Sequence, residues 1–135
     1  MKKIFVFIIL LLTVGFIFYF WQQNNQPPVV STTQNWQVSF QFSESESIDI
    51  NFSNEEALSL AEMTELISQQ EAWDYKFDDY GEMGVLLSQI KDKKNGQDQK
   101  YWQYFVAGEQ PQISIDKYFP ANNAYIEWKF IKSEF

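Results

Sequence analysis

Cysteine, histidine and arginine are all absent from this 135-residue chain. Without cysteine there are no disulfides and no thiolate metal sites. Without histidine there is no Ser-His or Cys-His catalysis and no imidazole ligation. From residue 22 onward 8 lysines face 18 acids, a net charge of −10. Phosphate contacts need a patch of Lys and Arg, so nucleic acid is not an expected partner. An anionic membrane surface would repel this part of the chain as well. The acidity is read as a solubility feature. Glycine is limited to 5 residues and none builds a phosphate-cradling loop. No internal repeat is visible.

One long apolar run is present. Residues 4–21, from Ile4 to Trp21, carry no charge. As a helix they would span roughly 27 Å, close to the hydrocarbon thickness of a bilayer. Lys2 and Lys3 precede the run and the next positive charge is Lys76, which puts the N-terminus in the cytoplasm and the remainder outside. A cleaved signal is the rival reading, but residues 20–28 offer no small-residue cut site. A lipoprotein signal would need a cysteine. A pilin-type leader would be cut before the run, whereas Gly15-Phe16 lies inside it. The expected organisation is a cytoplasmic stub and membrane anchor over 1–21, a polar linker with Pro27-Pro28 over 22–35, and one extracytoplasmic domain over 36–135.

Within that domain the alternation of Trp36, Val38, Phe40 and Phe42 with polar residues predicts a strand, and Ile48, Ile50 and Phe52 predict a hairpin partner. Ser53 and Glu56 fit a capping box, giving a helix from about 54 to 70 with Leu60, Met63 and Ile67 on its apolar side and Leu66 beside them. Glu55, Glu56, Glu62 and Glu65 read as a solvated face. Trp73, Tyr75 and Phe77 predict a third strand and 85–90 a fourth. Asn95-Gly96 is a turn signal. A fifth strand is expected over 101–107, a short one at 113–115, and a last one over 125–131. The fifth is apolar on both faces, which suits the centre of a sheet or a place beneath a ligand. One helix on a mostly antiparallel sheet is an α+β fold of β-grasp-like architecture.

Little points to catalysis. Asp78, Asp79 and Glu82 sit beside a glycine turn and read as a solvated loop. Residues 92–98 resemble a calcium loop only faintly, because lysines stand among the acids and no glutamate closes an EF-hand pattern. Asn51-Phe52-Ser53 has the form of a glycosylation sequon but falls at a strand end. Aromatics are the remaining chemical resource: Trp73, Tyr75, Tyr101, Trp102, Tyr104, Tyr118 and Trp128. The plainer reading of each is core packing. The polar tips of Tyr and Trp also suit the edge of a groove for a flat apolar ligand, a sugar or a protein.

Four blocks carry a family likeness: Met83 to Ile90, Tyr101 to Gly108, Asp116-Lys117-Tyr118, and Tyr125 to Phe130. Together they resemble the transcobalamin-like C-terminal domain of bacterial surface proteins, which is similar to the small β-domain of transcobalamin and intrinsic factor. The resemblance spans about residues 36–135. It implies a binding module that closes over cobalamin from one side, and with no catalytic or metal-ligating set among the residues above, no enzyme and no metal site are expected. By resemblance, two segments would touch the ligand. One is Glu82, Met83, Gly84, Val85, Leu86 and Leu87. The other is Trp102, Gln103, Tyr104, Phe105, Val106, Ala107, Gly108, Glu109, Gln110 and Pro111. Met83 stands where an aromatic is common, and Ala107-Gly108 replaces the usual Asn-Gly. The carriers also bury the vitamin against a large helical domain, and no such domain is visible in this sequence. The expectation is therefore weak binding of a corrinoid or other small ligand alone, strengthened by a partner. Two alternatives stay open: a cell-surface protein-interaction domain using a sheet edge or aromatic patch, and a carbohydrate-active enzyme using paired acids.

Overall fold

The computed structural model describes residues 32–133. The expected anchor over 4–21 and most of the linker lie outside the described residues. Among the described residues no helix is long and apolar enough to cross a membrane.

Strands β1 (Gln34–Gln41) and β2 (Ser47–Asn54) form the expected hairpin, paired in unbroken antiparallel register from Gln34↔Asn54 to Gln41↔Ser47. Their alternation puts Trp36, Val38, Phe40 and Phe52 on the core side. Helix α1 (Leu60–Gln70) starts six residues later than the sequence suggested. Ser59, not Ser53, is the N-cap, and Glu62 closes the box, with Ser59 N–H donating to Glu62 Oε2 at 2.8 Å. Both serines have a glutamate three residues on. Ser53 is held in the β2 ladder opposite Asn35, and residues 55–57 after it are exposed. Only the second pattern is followed by side chains that can bury, so it wins. The Ser59 hydrogen bonds hold the Glu62 carboxyl below the usual carboxylate range. Leu60, Met63 and Ile67 are fully buried as expected, while Leu66 faces outward, 39 % exposed. Thr64 and Ser68 take the remaining inward positions and turn their hydroxyls back to Leu60 O and Thr64 O, both at 2.7 Å. These small side chains let the helix approach the sheet closely.

Strands β3 (Tyr75–Asp79), β4 (Val85–Ile90) and the two-residue β5 (Lys93–Lys94) make a three-stranded antiparallel sheet. Strands β6 (Lys100–Val106) and β7 (Tyr125–Lys132) join the first hairpin in a four-stranded sheet of order β2-β1-β7-β6. The fold is thus α+β, but with two sheets, one of them mixed, because β1 and β7 run parallel. One sequence expectation fails here and another narrows. Residues 113–115 form a loop, not a strand. Of the two places that suited β6, the sheet centre is not the one it takes: it lies at an edge, and β1 and β7 are the inner strands, β7 with Ile126, Trp128 and Phe130 buried. The two-sided apolar pattern of β6 arises differently. Trp102 and Tyr104 face the core, whereas Tyr101 is 42 % exposed and Phe105 lies under the Lys129 ammonium, 4.8 Å from its ring centre.

A chain of aromatic contacts runs through the interior. Trp102 meets Phe42 at 5.5 Å and Phe130 at 5.3 Å between ring centres, and Tyr104 meets Trp128 at 5.6 Å. The packing role expected for these rings is what the core uses.

Candidate ligand-binding cleft

Gly84 is the hinge on which the site is built. Its φ of +100° is open only to glycine, and a Cβ there would stand 2.1 Å from Ser114 Oγ. That closeness lets the 109–119 loop clamp the start of β4. Ser114 Oγ accepts from Val85 N–H at 2.7 Å and donates to the Asp116 carboxylate, which also accepts from Val85 N–H at 3.2 Å. Further along, the loop carbonyls of Tyr118 and Ile115 accept from the first helical amides, Leu60 N–H at 2.8 Å and Ala61 N–H at 3.0 Å. The loop therefore ties β4 to the start of α1 without any regular structure of its own.

The Ser114 hydroxyl, donating to it, holds the Asp116 carboxyl below its ordinary value of 3.8. A lowered folded-state pKa stabilises the clamp above the unfolded value and loses that contribution as pH falls through the folded one. The Val85 amide resonance should therefore titrate in acid with a midpoint below 3.8. A midpoint at or above that value would refute the clamp.

On the other side, Asn95 joins the two sheets where no backbone ladder does. Its Oδ1 accepts from Trp102 N–H at 2.8 Å and its Nδ2 donates to Leu87 O at 2.9 Å. Trp102 Nε1 then donates to Lys93 O at 3.0 Å. The expected turn is present, with Gly96 left-handed at φ +91°. The bridging role of its asparagine is not visible in an Asn-Gly pair.

Between clamp and bridge opens a cleft of ≈ 280 Å³. Val85 and Leu86 form one wall, Ile113, Ser114 and Ile115 another, with Trp102, Tyr104 and Trp128 beneath and Tyr101, Gln103 and Gln110 at the rim. Leu86, Tyr101 and Ile113 are 41, 42 and 52 % exposed. Burial pushes the Tyr104 phenol up to about 12, so it stays protonated and donates to Ile113 O. Gln110 Nε2 donates to Gln103 Oε1 at 3.2 Å, leaving an amide pair at the mouth. A larger cleft, ≈ 460 Å³, lies over Asn35, Gln37, Asn51, Ser53 and Asn123. Amides dominate its lining, with Trp36 and Phe52 as its apolar members.

Of the residues singled out in the sequence, Val85, Leu86, Trp102, Gln103, Tyr104 and Gln110 come together in the smaller cleft. Gly84 lies buried just behind it. Leu87 points into the core. Glu82 and Met83 sit on a 3-10 turn, Gly81–Met83, outside the cleft lining. Met83 is 80 % exposed there, and Lys117 Nζ donates to Glu82 O at 2.9 Å. Phe105 is on the opposite face, while Val106, Ala107, Gly108, Glu109 and Pro111 lie beyond the lining. Asn95, Ile113, Ser114 and Ile115 were missed as site residues. A Ser-x-Asp spacing in a loop is the one sequence sign that Ser114 and Asp116 share a backbone partner.

Ala107 and Gly108 make the tight turn after β6. Both have positive φ, +50° and +83°, and Val106 and Glu109 exchange hydrogen bonds across it. That is the type I′ geometry, which favours Asn at the first position over Ala. Ala107→Asn should stabilise the domain by about 0.5–1 kcal/mol in urea unfolding. A destabilised variant would contradict the turn assignment.

Among the described residues no group of three or more acids is placed to hold a metal ion. Asp78 is paired with Lys76 at 2.8 Å and Asp92 with Lys93 at 3.0 Å.

The sequence model of a family described as a domain of unknown function (DUF4430) matches residues 63–132. No curated protein matches the chain. Among solved structures, a Ruminococcus gnavus protein provisionally described as metal binding superposes with a TM-score of 0.58 at 16 % identity. That match covers 74 % of this chain and 98 % of the other. Haptocorrin, solved in complex with Cbi, superposes with a TM-score of 0.61 at 13 % identity, over 80 % of this chain. The match takes in 28 % of haptocorrin's own length. At these identities the likeness is one of fold.

Proposed function

Because this chain belongs to the family described as a domain of unknown function (DUF4430), a domain of the transcobalamin-like C-terminal type, we propose that it is a binding module. Residues 36–135 take the edge of a flat, largely apolar ligand, a corrinoid being the leading candidate, in the cleft beside Leu86 and Tyr101. Residues 4–21 tether the module to the membrane, with the domain outside and residues 22–35 as spacer. A β-grasp-like description fits the parallel pairing of the first and last strands around one helix. Binding, not catalysis, is the activity this site suits.

The observation that carries the reading is the meeting of the two expected contact segments. Val85 and Leu86 come from one segment and Trp102, Gln103, Tyr104 and Gln110 from the other, and they line the same cleft. Apolar walls with a few amides at the mouth match a ligand whose ring is apolar and whose margin carries hydrogen-bonding groups. The volume of ≈ 280 Å³ admits only part of such a ring. A second protein would cover the rest, and affinity without it should be low.

Equilibrium dialysis of residues 30–135 against cobalamin tests the proposal. Retention at high micromolar vitamin is expected. Leu86→Ala with Tyr101→Ala should weaken it roughly tenfold while leaving unfolding nearly unchanged, since both side chains are exposed large apolar groups outside the core. Folded protein that retains no vitamin, or retention indifferent to both changes, would overturn it.

A further inference from the structure

The outer edge of β2 carries the elements of a self-recognition surface. Sheet edges in soluble proteins are commonly blunted by lysine, proline, a bulge or a covering element. Among the described residues strand β2 has none of these: Ser47–Asn54 contains no Lys and no Pro, and its register against β1 has no shift. It is the terminal strand of the four-stranded sheet. Among the described residues its backbone makes no hydrogen bond beyond the β1 ladder. The opposite edge is different, because at β6 Asn95 and the Lys93 carbonyl occupy Trp102. Ile48 and Ile50, on the core side of β2, remain only half-buried at this open margin.

The sequence of the strand selects what would cover it. Read outward from Ile50, it is nearly palindromic in chemistry. Asp49 and Asn51 are equivalent, then Ile48 and Phe52, then Ser47 and Ser53. An antiparallel pair of identical strands centred on Ile50 sets Ile50 against Ile50, Ile48 against Phe52, Asp49 against Asn51, and serine against serine. Directly opposed residues share a face in antiparallel pairing, so apolar stays with apolar. The one charge on the strand meets an amide and never its own copy. Shifting the centre to Asp49 would put two carboxylates in opposition, and a centre at Asn51 would set Asp49 against Ser53 and apolar Ile48 against the amide of Asn54. We propose that β2 pairs with β2 of a second copy of this chain in this register, forming a two-fold, eight-stranded sheet. A single strand pair covers little area, so the association is weak and concentration-dependent. This inference is independent of the cleft and of its ligand.

The test uses the full chain in detergent micelles or nanodiscs. Asn51→Lys places an ammonium opposite Asp49 of the partner copy, twice per dimer. Asn51→Asp places a carboxylate there, twice. Both positions are exposed, so both variants should fold. Sedimentation should show Asn51→Lys dimerising roughly tenfold or more tightly than Asn51→Asp. With no native cysteine, a single spin label at Ser53→Cys reads the register directly. Six residues of strand separate it from its copy, about 20 Å at ~3.3 Å per residue. Equal or inverted behaviour of the two charge variants, a purely monomeric chain, or dimers lacking the ~20 Å distance would each overturn the proposal. Dimers of that last kind would point to association through another part of the chain.

Discussion

Gly84→Ala should lower the stability of the domain by about 2–4 kcal/mol in urea unfolding. Two costs add. The backbone at φ +100° strains any L-residue, and the new methyl would lie 2.1 Å from Ser114 Oγ and 2.4 Å from Ser114 Cβ. Ser114 would have to leave, and with it the hydrogen bond to Val85 N–H. The cleft wall at Ile113 to Ile115 would then shift, so ligand retention should fall along with stability. Gly81→Ala separates the two costs. Its φ is +64°, but nothing lies within 4 Å of the added carbon, so only the backbone term of about 1–2 kcal/mol applies. If the two alanine variants unfolded alike, close approach of the loop would not be what Gly84 provides.

Asn95→Ala should cost about 2–3 kcal/mol. It removes the acceptor of Trp102 N–H and the donor to Leu87 O together. Those groups are partly buried and face each other across the seam between the sheets. For a domain of this size the midpoint of thermal unfolding should fall by roughly 10–20 °C. Asn95→Asp keeps the acceptor and loses the donor, so it should fall between wild type and alanine. A surface turn asparagine would cost a few tenths of a kcal/mol at most, and that result would remove the bridge from the account.

The parts that were readable in advance share one property: they depend on short-range periodicity. The β1–β2 hairpin, β3, β7 and the Leu60, Met63, Ile67 stripe each repeat an apolar residue at the spacing of their own element. What was unreadable depends on partners far along the chain. Residues 53–56 and 59–62 spell the same cap, and what separates them is the pairing of Ser53 with Asn35 and the burial of the side chains that follow Ser59. The place of β6 at an edge reflects how β7 pairs, in parallel, with β1. In the cleft, the residues implied by family likeness are those on β4 and β6, with Gln110. The loop side, Ile113 to Ile115, was missed because its position comes from Gly84 and Asp116 rather than from any pattern of its own.

Trp128 links the cleft to the helix. Its ring forms part of the cleft, its ring centre lies 5.6 Å from that of Tyr104 in a tilted pair, and its indole N–H donates to the Thr64 hydroxyl inside the helix at 3.0 Å. Thr64 in turn is fastened to Leu60 O. A molecule pressing on the floor of the cleft would thus push against a side chain wired to the far layer of the domain. The indole becomes a built-in gauge: its N–H resonance should report occupancy from within, with no dye attached.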